Sequence, residues 1–304
     1  MNNGKVDWRG SFVAVVTPFT ERGAIDERAF GDNVRRMVDE GVDGIVVSGC
    51  TGESWSLSPD ERVLLCRLAL DAVGGRVPVI AGTGGVPTPS VVDLSQRAKE
   101  AGVAGVMVLP PYYAMPGSRE VVEHYRAIAD AVKHPVLLYN IPRRTGINLT
   151  TDLLEQIVEF EWVVAIKESS NDFIQTERTI LEFGDRINVF TGHSAERGVP
   201  ALLMGAKGFV SSLESQIMGR PAVEMYALVQ RGELERARAT QMRTLALDNQ
   251  MRNIGTFPAN LKAAMNLLGR NGGAPRPPLL PLIHTDIERV RVVLDRLQLM
   301  PAHA

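Results

Sequence analysis

Short runs of aliphatic and β-branched residues recur along the chain, separated by stretches in which apolar positions return every three or four residues. The runs cover 11–16, 44–48, 77–81, 104–109, 135–139, 162–167, 187–191 and 207–212. Each is nearly continuous rather than strictly alternating, as expected of parallel strands covered on both faces. The stretches between them read as helices. In 26–40, Ile25, Phe30, Val34, Met37 and Val38 fall near helical spacing, and Asp26 can cap the start. Segment 59–73 opens on Ser58-Pro59, a cap followed by a first-turn proline; 88–101 closes on Ala101-Gly102; 118–132 and 150–160 repeat the pattern. Eight strands with short crossovers predict a (β/α)8 barrel. The competing architecture, an open doubly wound sheet, usually shows a glycine-rich phosphate turn after its first strand. Here that strand runs into Thr17-Pro18-Phe19.

From about residue 219 the strands stop. Segments 219–231, 233–250, 257–268 and 284–298 look helical, interrupted by a proline-rich connector at 271–278. The expected organisation is a barrel domain over 1–218 and a helical C-terminal extension over 219–304 packed on it.

Composition narrows the function. With 304 residues, the chain suits about two average domains or one large α/β barrel, and with 45% of residues hydrophobic and 22% charged it is not expected to be disordered. A formal net charge of −2 gives no basic footprint for nucleic acid. An acidic small molecule would have to meet local cations, and Arg143-Arg144 is one such pair. Cys50 and Cys66 lack CxxC spacing, and the histidines at 124, 134, 193, 284 and 303 form no ligand pattern, so neither a disulfide framework nor a metal site is expected. No apolar run is long enough to span a bilayer, and the opening residues lack the apolar core of a secretory signal. These features predict a soluble, cytoplasmic protein.

In a barrel, catalytic groups sit at the C-terminal ends of the strands. The sixth run, Trp162 to Ile166, ends in Lys167, followed by Glu168, Ser169 and Ser170. Burial lowers an ammonium's pKa and frees the amine as a nucleophile toward carbonyl carbon. Taken alone, the residue reads better as a lysine capping a strand at the surface. Parity with Val163 and Ala165 points it into the barrel. After the second run comes Gly49-Cys50-Thr51-Gly52-Glu53, a turn that can aim backbone N–H groups and the Thr51 hydroxyl at an anion, or a plain tight turn in which Glu53 starts the next helix. The fifth run ends at Tyr139, a proton shuttle if it lies near Lys167 and otherwise a core aromatic. Arg144 could grip a carboxylate in a bidentate fork or lie on the surface. Tyr112 and Tyr113 fit packing or oligomer contact as well as catalysis.

These motifs resemble the dihydrodipicolinate synthase / N-acetylneuraminate lyase family of class I Schiff-base enzymes. The likeness spans essentially the whole chain, through G-C-T-G-E at 49–53, Y-N-I-P-R-R-T-G at 139–146 and I-K-E at 166–168. It implies that Lys167 forms an imine with pyruvate or another 2-oxo acid and that Tyr139 shuttles protons above it. Thr51 with its neighbouring N–H groups would hold the substrate carboxylate, and Cys50 and Val210 would belong to the substrate-binding set. It also implies that no metal or organic cofactor is needed. Arg144 looks most like the synthase branch, where it binds the carboxylate of aspartate semialdehyde. Tyr113 matches a tyrosine that crosses a dimer interface, which suggests a homo-oligomer, a dimer of dimers.

Three positions depart from the synthase branch. Cys50 replaces a threonine that links two tyrosines; Thr191-Gly192-His193-Ser194-Ala195-Glu196 replaces a Gly-Asp-Asp pattern; Leu213-Glu214-Ser215 follows the eighth strand where small neutral residues and an asparagine are usual. The readings carried forward are condensation of pyruvate with aspartate semialdehyde, then aldol cleavage or dehydration of a 2-keto-3-deoxy or other 2-oxo acid. A non-catalytic barrel that binds 2-oxo acids is the reading from another class, motivated by Cys50. Inhibited relatives hold lysine with an asparagine and a glutamate, where this chain has Val86 and Ser90. Free lysine at millimolar concentration is therefore expected to leave initial rates unchanged, and a dose-dependent loss of rate would contradict this.

Overall fold

Which residues face inward decides how the strands close. In the computed structural model, which describes residues 6–300, the strands are β1 (Gly10–Ala14), β2 (Gly44–Val47), β3 (Val79–Gly82), β4 (Gly105–Val108), β5 (Val136–Asn140), β6 (Val163–Glu168), β7 (Asn188–Thr191) and β8 (Gly208–Ser211). All pair in parallel with their sequence neighbours, and β8 returns to β1 to close a barrel. The (β/α)8 architecture is thus the one adopted, and the open sheet is excluded. The opening residues 1–5, on which the leader reading partly rested, and His303 lie outside the described residues.

Alternate residues fill the two sides of the ring. Phe12, Val46, Ile80, Met107, Leu137, Ala165, Phe190 and Val210 pack inside with Trp8. Val13, Ile45, Val79, Val106, Val136, Val163 and Val189 pack outside beneath the helices. Val163 therefore does not share its side with Lys167, contrary to the parity expected from sequence. The reason is a bulge: Val136 pairs with Val163 but Leu137 pairs with Ala165, so Val164 is an extra residue that shifts the phase. Ala165 and Lys167 remain on the inner side.

Helix ends follow local chemistry. Ser58 and Glu61 form a reciprocal capping box before Pro59–Val73, and Gly74 and Gly102 end their helices in the left-handed conformation. The segment expected at 150–160 shortens to Thr151–Ile157, because the Phe160 N–H turns back onto the Ile157 carbonyl at 3.2 Å. Helices Phe173–Phe183 and Ser194–Leu203, not singled out from sequence, complete the outer ring.

The segment expected as one helix at 219–231 is two short ones, Arg220–Val223 and Met225–Gln230; helices Leu234–Met251, Ala259–Leu267 and His284–Arg296 follow. Leu247, Met251, Leu261, Met265 and Leu294 form a second core with Val16, Leu213 and Ile217 at the barrel's edge. Gln241 fastens the extension to helix Ser194–Leu203: its amide donates to the Ala195 carbonyl at 2.7 Å and accepts from the Val199 N–H at 2.8 Å.

Trp8 plugs the barrel at the end opposite the C-terminal ends of the strands, against a strand start that only glycine permits. A Cβ on Gly105 would collide with the Trp8 indole and stand 2.7 Å from the Pro135 carbonyl oxygen. Gly105→Ala is expected to destabilise by about 1–3 kcal/mol, read as a lower urea midpoint at unchanged m-value. A midpoint equal to that of the wild type would show that the floor can yield.

Candidate active site

β5 and β6 run in register so that Tyr139 stands beside Lys167 and Asn140 beside Glu168. Because side chains alternate along a strand, Lys167 enters the barrel mouth while Glu168 turns the other way. Glu168 is fully engaged there: it accepts from Asn140 Nδ2 at 2.8 Å, from the Ser170 N–H at 2.6 Å and from Gln175 Nε2 at 3.2 Å. The nearest carboxylate in sequence is thereby kept off the amine.

Lys167 is 6% exposed, and its Nζ lies 4.3 Å from the centre of the Tyr139 ring. Among the described residues it makes no ion pair with a carboxylate. Burial lowers its pKa from 10.5 to about 8, against the opposing influence of Cys50 and Glu214. Gly192, just past β7, leaves the room it occupies: a Cβ there would stand 2.9 Å from Lys167 Cε and collide with the Ser169 hydroxyl. Tyr139 is also buried. Burial pushes its hydroxyl well above the ordinary phenol range; Cys50 adds to this, and Arg144 and Arg143 act against it.

The turn after β2 is shaped by two non-glycine residues in the left-handed region, Ser48 and Glu53. The Ser54 N–H closes onto the Gly49 carbonyl and the Glu53 N–H onto that of Cys50, both at 3.2 Å, and Thr17 Oγ1 donates to the Gly52 carbonyl at 2.8 Å. Among the described residues, no protein acceptor takes up the N–H groups of Thr51 and Gly52. Glu53 precedes a single turn, Ser54–Ser56, and not a full helix; it is completely buried and paired with Lys262.

These elements share a cavity of about 460 Å³ whose walls include Cys50, Thr51, Tyr139, Arg143, Arg144 and Lys167. Five of the seven residues expected from sequence are therefore brought together: Lys167, Tyr139, Cys50, Thr51 and Arg144. Arg144 sits at the rim, with its guanidinium 5.4 Å from the Trp55 ring. The other two lie elsewhere. Val210 packs in the barrel interior and is not part of the cavity wall. Tyr113 is 93% exposed, in the left-handed region at φ 67°, and does not reach the cavity of its own chain.

The far wall was less legible. Ser194 Oγ donates to the buried carboxylate of Glu214, whose pKa is raised by burial, and His193 Nε2 lies 3.2 Å from the Ser169 carbonyl oxygen. Arg252, at the end of the extension's long helix, pairs with Glu196 and Asp248. No sequence signal pointed to Arg252, Asp248 or Asn260, because only the docking of the extension brings them here. Among the described residues, no three His, Cys, Asp or Glu side chains converge as metal ligands, and no helix is long and apolar enough to cross a membrane.

A parallel eight-stranded barrel with a buried amine beside a buried phenol at its C-terminal mouth has the architecture of a barrel lyase. The profile of the Dihydrodipicolinate synthetase family matches residues 7–297, and the chain belongs to that family. It is similar to 4-hydroxy-tetrahydrodipicolinate synthase from Geobacter sulfurreducens, with 37% identity over 96% of this chain and 100% of the relative. The crystal structure of dihydrodipicolinate synthase from Aquifex aeolicus superposes with a TM-score of 0.91 at 33% identity, covering 97% of this chain and 100% of that one. A prophage protein of the same family from E. coli K12, solved in complex with pyruvate, gives a TM-score of 0.91 at 28% identity over 96% and 99% of the two chains.

The lowered pKa of Lys167 has a cost to stability. A displacement from 10.5 to about 8 corresponds to roughly 3 kcal/mol in favour of the neutral amine. The folded-state value lies below the unfolded one, so this cost is fully present below about pH 8 and fades as pH climbs toward 10.5. Lys167→Met, which removes the charge and keeps the length, is expected to raise the thermal midpoint at pH 7, with the gain shrinking at alkaline pH. A midpoint at pH 7 no higher than that of the wild type would mean that the site does not resist the ammonium.

Proposed function

We infer that the protein is a Schiff-base lyase or synthase acting on pyruvate or a related 2-oxo acid. The observation that carries this reading is the placement of Lys167 Nζ against the Tyr139 ring in a cavity that also holds the Thr51 turn. The substrate carboxylate docks on the Thr51 hydroxyl and the free N–H groups of the turn, which presents the C2 carbonyl to Lys167. The neutral amine adds to C2, a proton passes to the carbonyl oxygen, and water leaves to give the imine. Tyr139 is the group placed to move those protons. Loss of a C3 proton then gives an enamine, the carbon nucleophile that bonds to an aldehyde; cleavage runs the same steps backward.

The first reading for the acceptor is aspartate semialdehyde, supported by Arg144 at the rim and by the names of the related synthases. A second reading rests on one observation: the Glu214 carboxylate, held by Ser194, lines the acceptor side of the cavity. A buried carboxylate accepts hydrogen bonds from hydroxyl groups and repels anions, which suits cleavage or dehydration of a hydroxylated 2-keto-3-deoxy acid. A coupled assay with pyruvate and aspartate semialdehyde separates the two. Negligible turnover there, with activity on a 2-keto-3-deoxy acid, selects the second. A non-catalytic 2-oxo-acid binder would turn over neither. For assembly we favour a dimer of dimers, with the exposed Tyr113 serving a neighbouring site.

Borohydride with pyruvate is expected to add a stable mass at Lys167 and none in Lys167→Ala. The labelling rate should rise about tenfold per pH unit below pH 8 and level off above it, because only the neutral amine attacks. A limb continuing to pH 10 or an unlabelled lysine would refute the assignment. Tyr139→Phe should lower kcat by about 10²- to 10⁴-fold with little change in KM; a nearly unimpaired variant removes Tyr139 from proton transfer.

A further inference from the structure

Glu53 ends the turn that offers Thr51 to the substrate, and it does so at φ 54°, a backbone conformation that a non-glycine residue keeps only when its surroundings hold it there. What holds it comes from the far end of the chain. Its Oε1 pairs with Lys262 Nζ, both side chains being completely or almost completely buried, and its Oε2 accepts from the Arg276 N–H at 3.0 Å. Lys262 belongs to helix Ala259–Leu267, and Arg276 to the proline-rich connector after it. Lys262 Nζ also donates to the Ala274 carbonyl at 2.8 Å. Its ammonium lies 4.4 Å, and the Arg276 guanidinium 4.2 Å, from the centre of one aromatic ring, that of Phe19. Phe19 follows β1 two residues after Thr17, which grips the same turn at Gly52. The segment that supplies Lys262 also reaches the cavity wall, at Phe257 and Asn260.

We propose that Glu53 and Lys262 are positioning residues for the 2-oxo acid: the buried pair fixes the turn that carries Thr51, so Lys262, from the C-terminal extension, sets substrate affinity without touching substrate itself. Donors hold a carboxylate only when they stand about 2.7–2.9 Å from its oxygens, and a dry ion pair on the adjoining residue sets that position more rigidly than a neutral contact. A strut that only stabilised the fold would leave affinity unchanged once both charges were replaced together. This inference rests on the assignment of the turn and Lys167 given above.

The test is borohydride trapping of pyruvate at Lys167 in the full chain, with pyruvate concentration varied, so that no acceptor has to be known. Replacing one partner strands a buried charge, so the informative variant is Glu53→Gln with Lys262→Met, its fold checked by circular dichroism. Half-saturating pyruvate is expected to rise about tenfold, while labelling at saturation stays near that of the wild type. A folded double variant shifted by less than about threefold overturns the proposal. Phe19→Leu keeps the pair but removes the ring beneath both cations, and should shift half-saturation about two- to fivefold. If the double variant does not fold, an unshifted Phe19→Leu protein overturns the proposal. Wild-type protein that pyruvate never labels overturns the Schiff-base assignment and this inference with it, whereas normal wild-type labelling with unshifted variants overturns this inference alone.

Discussion

An ammonium taken out of water without a carboxylate to meet it is the condition under which this site can work, and β6 supplies it by simple alternation. Lys167 and Glu168 are adjacent in sequence, yet the pleat sends them to opposite sides of the barrel wall. The carboxylate is then tied down by Asn140, Ser170 and Gln175, so it cannot swing back. Had the two paired, attraction would have favoured the charged amine and undone what burial achieves. The bulge at Val164 sets what lies beneath the amine: across the extra residue Val163 faces the helices, while Ala165, two residues before Lys167, stays on the inner side. The outer core is filled while the floor below Lys167 stays small.

Much of this was legible because its causes are local. Helices 59–73, 88–101 and 118–132 begin and end where the sequence says, since a capping box, a first-turn proline or a left-handed terminator acts within a few residues of where it stands. The chemistry at the strand ends was legible for a related reason. A barrel gathers the ends of its strands at one mouth, so Lys167, Tyr139, Cys50, Thr51 and Arg144 had to converge once the strands were counted.

What the sequence hid depends on partners far along the chain. The bulge is defined by the pairing of β6 with β5, not by any residue in β6 alone. Helix Ser194–Leu203, with Pro200 inside it, is satisfied by Gln241 from the extension. Val210 is a strand residue on the inner side, in the cluster that holds Ala165 and Phe190, and does not line the cavity. Tyr113 is so exposed that a single chain cannot display a role for it.

Two buried lysines make the contrast plain. Burial lowers the pKa of Lys167 and of Lys262, and in Lys262 the carboxylate of Glu53 is the main influence acting against it. Lys262 recovers what water provided: a carboxylate in Glu53, a carbonyl in Ala274 and the face of Phe19. Those partners hold its charge in place, and a held charge is architecture. Lys167 meets a phenol ring and a half-buried thiol, in the room that Gly192 leaves for its side chain. With no carboxylate in its shell, the amine keeps the desolvation that favours its neutral form. The same desolvation thus acts on a lysine that has a counter-ion beside the Thr51 turn and on one in β6 that has none.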